Sequence, residues 1–311
     1  MRLTQTFIPS LLVVFLVFLN GTNCMANEEN KNLEIKQKLP GRPVRMVSIG
    51  FAMDKPLEQV AALVDAEGAR GADLIALPET AMGQSEGTAE TLEGRTIRTL
   101  SALARKHKTY IVCGLDRLDG DRRVNSAVLI DRQGKVVCVY DKMYPFWAEF
   151  ELSPPVSAGK QVVVYDTDFG RLGLAICFDV NFASVWQQLA DKDAEMVVWI
   201  SAYSSGTSLQ AYAINHHYTI VSATQSRDCQ VYDITGERIL DESSDDIHIS
   251  RTTIDLDRCI FHKNIDANPV AKRNKLFEEH ADDIVMEKDL PREEWFVLKA
   301  KKPGVSARKL A

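Results

Sequence analysis

The sequence has no run of basic residues. Its 37 Lys and Arg against 43 Asp and Glu leave a net charge of −6, which argues against a nucleic-acid partner or a polybasic membrane contact. There is no Cys-x-x-Cys pair among its six cysteines (24, 113, 138, 177, 229, 259). That excludes the common zinc and dithiol patterns. No His/Asp/Glu cluster has ligand spacing, so no metal and no other cofactor is expected. Internal repeats and low-complexity stretches are absent. After residue 26 there is no Asn-x-Ser/Thr acceptor and no apolar run of membrane-spanning length.

One apolar run does exist, at the start. Phe7 to Leu19 is almost wholly hydrophobic, follows the basic Arg2, and is broken by Asn20-Gly21-Thr22-Asn23. This is the layout of a secretory signal peptide, too short for a comfortable span. The expectation is a signal over residues 1–26, cut after Ala26, with secreted or periplasmic destination and no span left after processing. Lipid modification at Cys24 and a retained anchor are the alternatives. Residues 27–41 are polar and charged, and read as a linker. Export permits disulfides. Cys113 and Cys138 nevertheless sit in apolar runs that suit buried thiols, and pairing among 113, 138, 229 and 259 stays open.

From residue 42 the pattern becomes that of a folded α/β domain, here bounded at 42–262. Val44–Phe51 reads as a strand. Leu57–Arg70 places Leu57, Val60, Ala61 and Val64 at helical spacing, with Gly71 closing it. Asp73–Pro78 is a buried-type strand, Thr96–His107 a second helix and Thr109–Leu115 the next strand. Three hairpins follow: 126–131 with 135–141, 161–165 with 171–177, and 229–232 with 238–240. Phe182–Ala190 and Leu209–Tyr218 read as helices around the strands Met196–Ser201 and Thr219–Thr224, and Ile249–Leu256 as a last strand. Such mixing suits a layered α/β architecture. Residues 263–311 are strongly charged and read as a peripheral tail with one or two helices.

Three short segments carry candidate chemistry. Leu77-Pro78-Glu79 sets a carboxylate at the carboxyl end of a buried strand, where crevices form. Tyr140-Asp141-Lys142 sets an ammonium group directly after another strand. Each alone reads better as surface charge. Gly173-Leu-Ala-Ile-Cys177-Phe178-Asp179 puts a cysteine at a strand–turn–helix junction, a setting in which a nucleophile is exposed and backbone N–H groups converge. A buried structural cysteine is the competing reading.

Taken together, the order Glu79, Lys142, Cys177 resembles the catalytic triad of the nitrilase superfamily of carbon–nitrogen hydrolases, over about residues 44–260. Glu93-Gly94, Asn125-Ser126-Ala127, Phe169-Gly170-Arg171-Leu-Gly173 and Ile200-Ser201-Ala202-Tyr203 add to the resemblance. It implies a four-layer α-β-β-α sandwich, commonly paired face to face as a homodimer, with the tail a candidate for that contact. It implies Cys177 as nucleophile, Glu79 as general base and Lys142 beside the oxyanion with the Phe178 N–H. A second glutamate is also implied: Glu149, seven positions after Lys142, is preferred to Glu151. Phe178, Asn181, Tyr203 and Trp147, with the loop at Gln84, are the candidate substrate contacts.

The chain departs from many relatives at Asn181, where carbamoylases and omega-amidase-like members carry arginine. It also lacks the Cys-Trp-Glu of true nitrilases. Cys177-Phe178-Asp179 is closer to the pantetheinase and biotinidase branch. His216 and His217 invite a Cys–His reading, but in the resembled family that helix lies behind the site. The resulting expectation is an exported hydrolase cleaving a non-peptide amide of a small molecule through a cysteine thioester. An acyltransferase using the same thioester and a catalytically silent binding protein are the alternatives.

Overall fold

In the computed structural model, which describes residues 39–53, 55–264 and 268–311, the period-two apolar strands stack as two sheets. The expected signal peptide and most of the expected linker lie outside the described residues. The first sheet has the order β12-β1-β2-β3-β4-β5, and the second β11-β10-β9-β8-β7-β6. Their strands are β1 (Pro43–Gly50), β2 (Leu74–Ala76), β3 (Tyr110–Asp119), β4 (Arg122–Ile130), β5 (Val136–Asp141), β6 (Val164–Asp166), β7 (Arg171–Ile176), β8 (Met196–Ser201), β9 (Thr219–Thr224), β10 (Asp228–Tyr232), β11 (Arg238–Ser243) and β12 (His248–Asp255).

Alternation decides which side of the first sheet each residue faces. Val44, Met46, Leu74, Ala76, Val112, Ala127 and Leu129 point inward onto the second sheet, sharing one core with Leu172, Leu174, Val198 and Val221. Val47, Ile49, Ile75, Ile111, Val128 and Ile130 point outward. They lie under α1 (Leu57–Ala69) and α2 (Arg95–His107), against Val60, Val64, Ile97 and Leu100. The helices α3 (Ala183–Asp191) and α4 (Gly206–His216) cover the other face of the second sheet through Trp186, Leu189, Leu209 and Ala213. The layers therefore run α-β-β-α, as expected. Strands β1–β3 and β7–β9 are parallel, each set served by crossover helices, while the outer strands are antiparallel. Parallel order brings the carboxyl ends of β2, β7 and β8 to one edge, where open α/β sheets hold their ligands.

Two regions differ from the sequence reading. Strand β3 continues past Leu115 to Asp119 and turns straight into β4 at Arg122, with Gly120 at φ 61°. The charges that hid this hairpin neutralise one another. Buried Arg123 forks onto Asp116 at 2.8 and 2.6 Å, and Arg117 onto Asp141 at 2.9 and 3.0 Å. The tail is more than helices. After α5 (Pro269–His280), Ile284–Leu290 (β14) and Trp295–Ala300 (β15) form a hairpin, and β15 pairs with Cys259–His262 (β13). The apolar content of Trp295-Phe-Val-Leu298 supports this sheet, which has its own small core with Ile284, Phe296, Leu298 and Ala307. Trp295 packs edge-on against His217, and Arg258 joins Asp233 to Glu287, tying this sheet to the main domain. Among the described residues no helix is long and apolar enough to cross a membrane. Their five cysteines are all free.

Candidate active site

Each of the three sequence segments ends a strand at the same edge. Glu79 lies three residues beyond β2, where Pro78 has ended the strand and Thr80 takes a φ of 39°. Gly114 of β3 lies so close behind that a Cβ there would stand 2.6 Å from the Glu79 Cα and 2.5 Å from the Thr80 N. Lys142 directly follows β5. Cys177 directly follows β7 at a φ of 45°, in the left-handed region that a non-glycine residue rarely adopts. A short 3₁₀ turn, Trp147–Glu151, carries Glu149.

The side chains converge. The Lys142 Nζ donates to Glu79 Oε1 at 2.8 Å and to Glu149 Oε2 at 2.7 Å, with its side chain only 1 % exposed. An ammonium has three protons, so one remains beyond the two carboxylates. Glu79 Oε1 also accepts from Asn125 Nδ2 at 2.7 Å, and its Oε2 from the Ala202 N–H at 2.8 Å. Glu149 accepts from Asn125 Nδ2 at 2.8 Å, Phe146 N at 2.7 Å and Gln84 Nε2 at 3.1 Å. Glu149, not Glu151, is therefore the acid that meets Lys142; Glu151 is exposed. Ser201 and the Ala202 N–H, at the end of β8, reach the Cys177 thiol. The first sheet supplies the acid and the ammonium group, and the second supplies the sulfur.

Burial and charge set the protonation states. Burial, and then Glu79, push the Cys177 thiol well above its ordinary range, against the opposing Lys142 charge. The resting sulfur is thus a neutral thiol. Burial would lower Lys142, but the Glu79 and Glu149 carboxylates outweigh it and hold it protonated. Burial would raise Glu149, yet the Lys142 charge and hydrogen bond keep it below the usual carboxylate range.

Four residues of this site were not among the sequence candidates. Asn125 bridges both glutamates. Ser201 and Ala202 contact the thiol or Glu79. Asp179 is fully buried two residues after the cysteine, accepting from Tyr140 Oη (2.7 Å), Ile176 N (3.1 Å) and Tyr144 N (3.0 Å). It ties the cysteine turn to the segment after Lys142. Burial raises it to about 6 despite these donors. Polar residues inside otherwise apolar strands and turns were the available signal.

The candidate substrate contacts form two groups. Phe178 is half-buried and joins Tyr144, Phe146, Trp147 and Phe182 in one aromatic row. Asn181 is exposed; its Nδ2 donates to the Phe178 carbonyl at 3.2 Å, and it meets the hydroxyl of Tyr203. His216 stacks with Tyr212 and Tyr218, and His217 contacts the Ile234 carbonyl, so both histidines are engaged elsewhere. Among the described residues no three His, Cys, Asp or Glu side chains form a metal-binding group.

Comparison with known proteins gives the family. The family model described as carbon-nitrogen hydrolase matches residues 50–263, most of the chain. The omega-amidase NIT2 of Danio rerio is 26% identical over 194 residues, covering 58% of this chain and 68% of that protein. The deaminated glutathione amidase of Dictyostelium discoideum is 30% identical over 167 residues, covering 47% and 57%. Among solved structures, an amidase from Nesterenkonia sp. AN1 superposes with a TM-score of 0.63 at 18% identity, covering 70% of this chain and 92% of that one. That structure shows covalent addition of the acetamide moiety of fluoroacetamide at its active-site cysteine. Saccharomyces cerevisiae Nit3, a member of the nitrilase superfamily, superposes with a TM-score of 0.61 at 17% identity, covering 70% and 91%.

Proposed function

This chain belongs to the carbon–nitrogen hydrolase family, and from that premise we propose that it cleaves a small-molecule amide through a thioester on Cys177. The observation that carries the reading is the contact of Lys142 with both Glu79 and Glu149, beside a thiol that feels both Glu79 and Lys142.

Because burial keeps the sulfur protonated, its proton needs an acceptor as the sulfur attacks the carbonyl carbon. Glu79 takes that proton. The free N–H of Lys142 and the Phe178 N–H stabilise the oxygen that becomes negative. Glu79 then passes the proton to the leaving amine, the carbon–nitrogen bond breaks, and an acyl-thioester remains. Water attacks the thioester, Glu79 takes its proton, and the released sulfur is reprotonated. Glu149, held by Asn125, Gln84 and Phe146, fixes the ammonium group throughout.

Amine release from a panel of amides and nitriles tests this, with Cys177→Ala as control. Release by the wild type and none by the variant is expected. Equal release by both would remove Cys177 from the mechanism. Export through residues 1–26 and a homodimer complete the proposal and rest on the sequence and the resemblance. N-terminal sequencing of the secreted protein and light scattering of the purified protein check them.

A further inference from the structure

The residue after Cys177 belongs to an aromatic row whose rings the hydrolytic chemistry does not use. Tyr144 stacks on Phe182 with ring centroids 3.5 Å apart. Phe182 meets Phe178 edge-on at 5.7 Å, Phe178 meets Phe146 at 5.4 Å, and Phe146 meets Trp147 at 5.4 Å. The row runs outward from the residue next to Cys177 to solvent, where Phe146 is 38 % and Trp147 62 % exposed. Large exposed aromatics that continue a buried row usually mark something they bind.

Charge narrows what that is. The largest charge effects on the thiol come from Glu79 and Lys142. Two carboxylates share the single ammonium group of Lys142, so this cluster carries an excess of negative charge. The position four residues after the cysteine holds neutral Asn181, whose partners are the Phe178 carbonyl and the Tyr203 hydroxyl. A second carboxylate on the substrate would meet repulsion here, and among the described residues the cation paired with Glu79 and Glu149 is Lys142, not a guanidinium.

We infer that the row from Tyr144 and Phe182 through Phe178 to Phe146 and Trp147 is the acyl subsite, and that it selects amides of uncharged aromatic acids over amides whose acyl group ends in a carboxylate. The acyl group is the part that stays bonded to the sulfur, so it lies beside the residue adjacent to Cys177. Tyr203 and Asn181 add neutral hydrogen-bonding groups next to the row. The inference rests on the amidase reading above and names the substrate class for it.

The test compares kcat/KM for phenylacetamide, acetamide, succinamate and N-benzylacetamide. Phenylacetamide is expected to exceed acetamide by on the order of ten- to a hundredfold, and succinamate by at least about tenfold. Trp147→Ala and Phe146→Ala, both at exposed positions, should shrink the phenylacetamide advantage several-fold, and Trp147→Arg should raise succinamate relative to phenylacetamide. Preference for succinamate or acetamide would overturn the inference and leave the amidase reading standing. Preference for N-benzylacetamide would overturn the acyl assignment. An unchanged selectivity in the Trp147 and Phe146 variants, with light scattering showing an altered oligomer instead, would make the row an interface and also overturn it. Turnover of none of the panel of amides would remove both.

Discussion

Replacing Lys142 by methionine removes a charge while keeping most of the side-chain volume. In the native protein Nζ stands 2.8 Å from Glu79 and 2.7 Å from Glu149, with all three side chains buried. The donors left to the two acids would be Asn125, Gln84 and the Ala202 and Phe146 N–H groups, all neutral. Removing one partner of a buried ion pair costs about 3–5 kcal/mol. Two facing carboxylates lower that cost by sharing a proton, which raises one pKa strongly. The folded variant then binds more protons than the unfolded chain, so its stability should fall as pH rises from about 5 to about 8, by up to about 1.4 kcal/mol per unit. In the wild type the Glu149 contribution alone should run the opposite way, below its ordinary value. Glu149 is held below its ordinary value of 4.5, so its contribution is present above that pH and lost as pH falls through its folded pKa. Urea unfolding of both proteins from about pH 2 to about pH 8 reads both slopes. A cost under about 1 kcal/mol at pH 7, or a variant whose stability does not recover on acidification, would refute the buried triad of charges.

Other outcomes follow from single contacts. Cys177→Ala should abolish amine release and Cys177→Ser should leave very little, as a stopped amine assay would show; wild-type rates in either would contradict the scheme. Gly114→Ala would push a methyl into the Glu79 segment, so a fall of at least about tenfold in kcat, the scale of a small misplacement, is expected with the fold retained by circular dichroism. Asn125→Leu keeps bulk but removes both donors to Glu79 and Glu149; a loss of about 2 kcal/mol or more in a thermal melt is expected. Asp179, raised to about 6 from 3.8, should make the wild type less stable as pH rises between those values, and Asp179→Asn should flatten that part of the profile.

Much of this arrangement is written locally in the chain. Alternation of Val44, Met46 and Ser48 against Val47 and Ile49 distinguishes the two faces of β1, and runs such as Met196–Ser201 mark strands buried on both faces. Strand-end positions of Glu79, Lys142 and Cys177 follow from the same patterns. The β3–β4 hairpin escaped because Asp116, Arg117, Asp119 and Arg123 break the apolar rhythm, and their neutralisation depends on pairing that is visible only in three dimensions. The tail sheet escaped because β15 finds its second partner in β13, more than thirty residues back. Asn125 and Asp179 gained roles only once Glu79 and Tyr140, 46 and 39 residues away, came within hydrogen-bond reach.

The most direct test of the central claim is the fate of the acyl group when hydroxylamine is added to a turning-over reaction. If acyl transfer passes through a thioester on Cys177, hydroxamate should form at the expense of the carboxylic acid, and Cys177→Ala should form neither. Amine release accompanied by acid alone at every hydroxylamine concentration, or hydroxamate formed equally by the alanine variant, would contradict it.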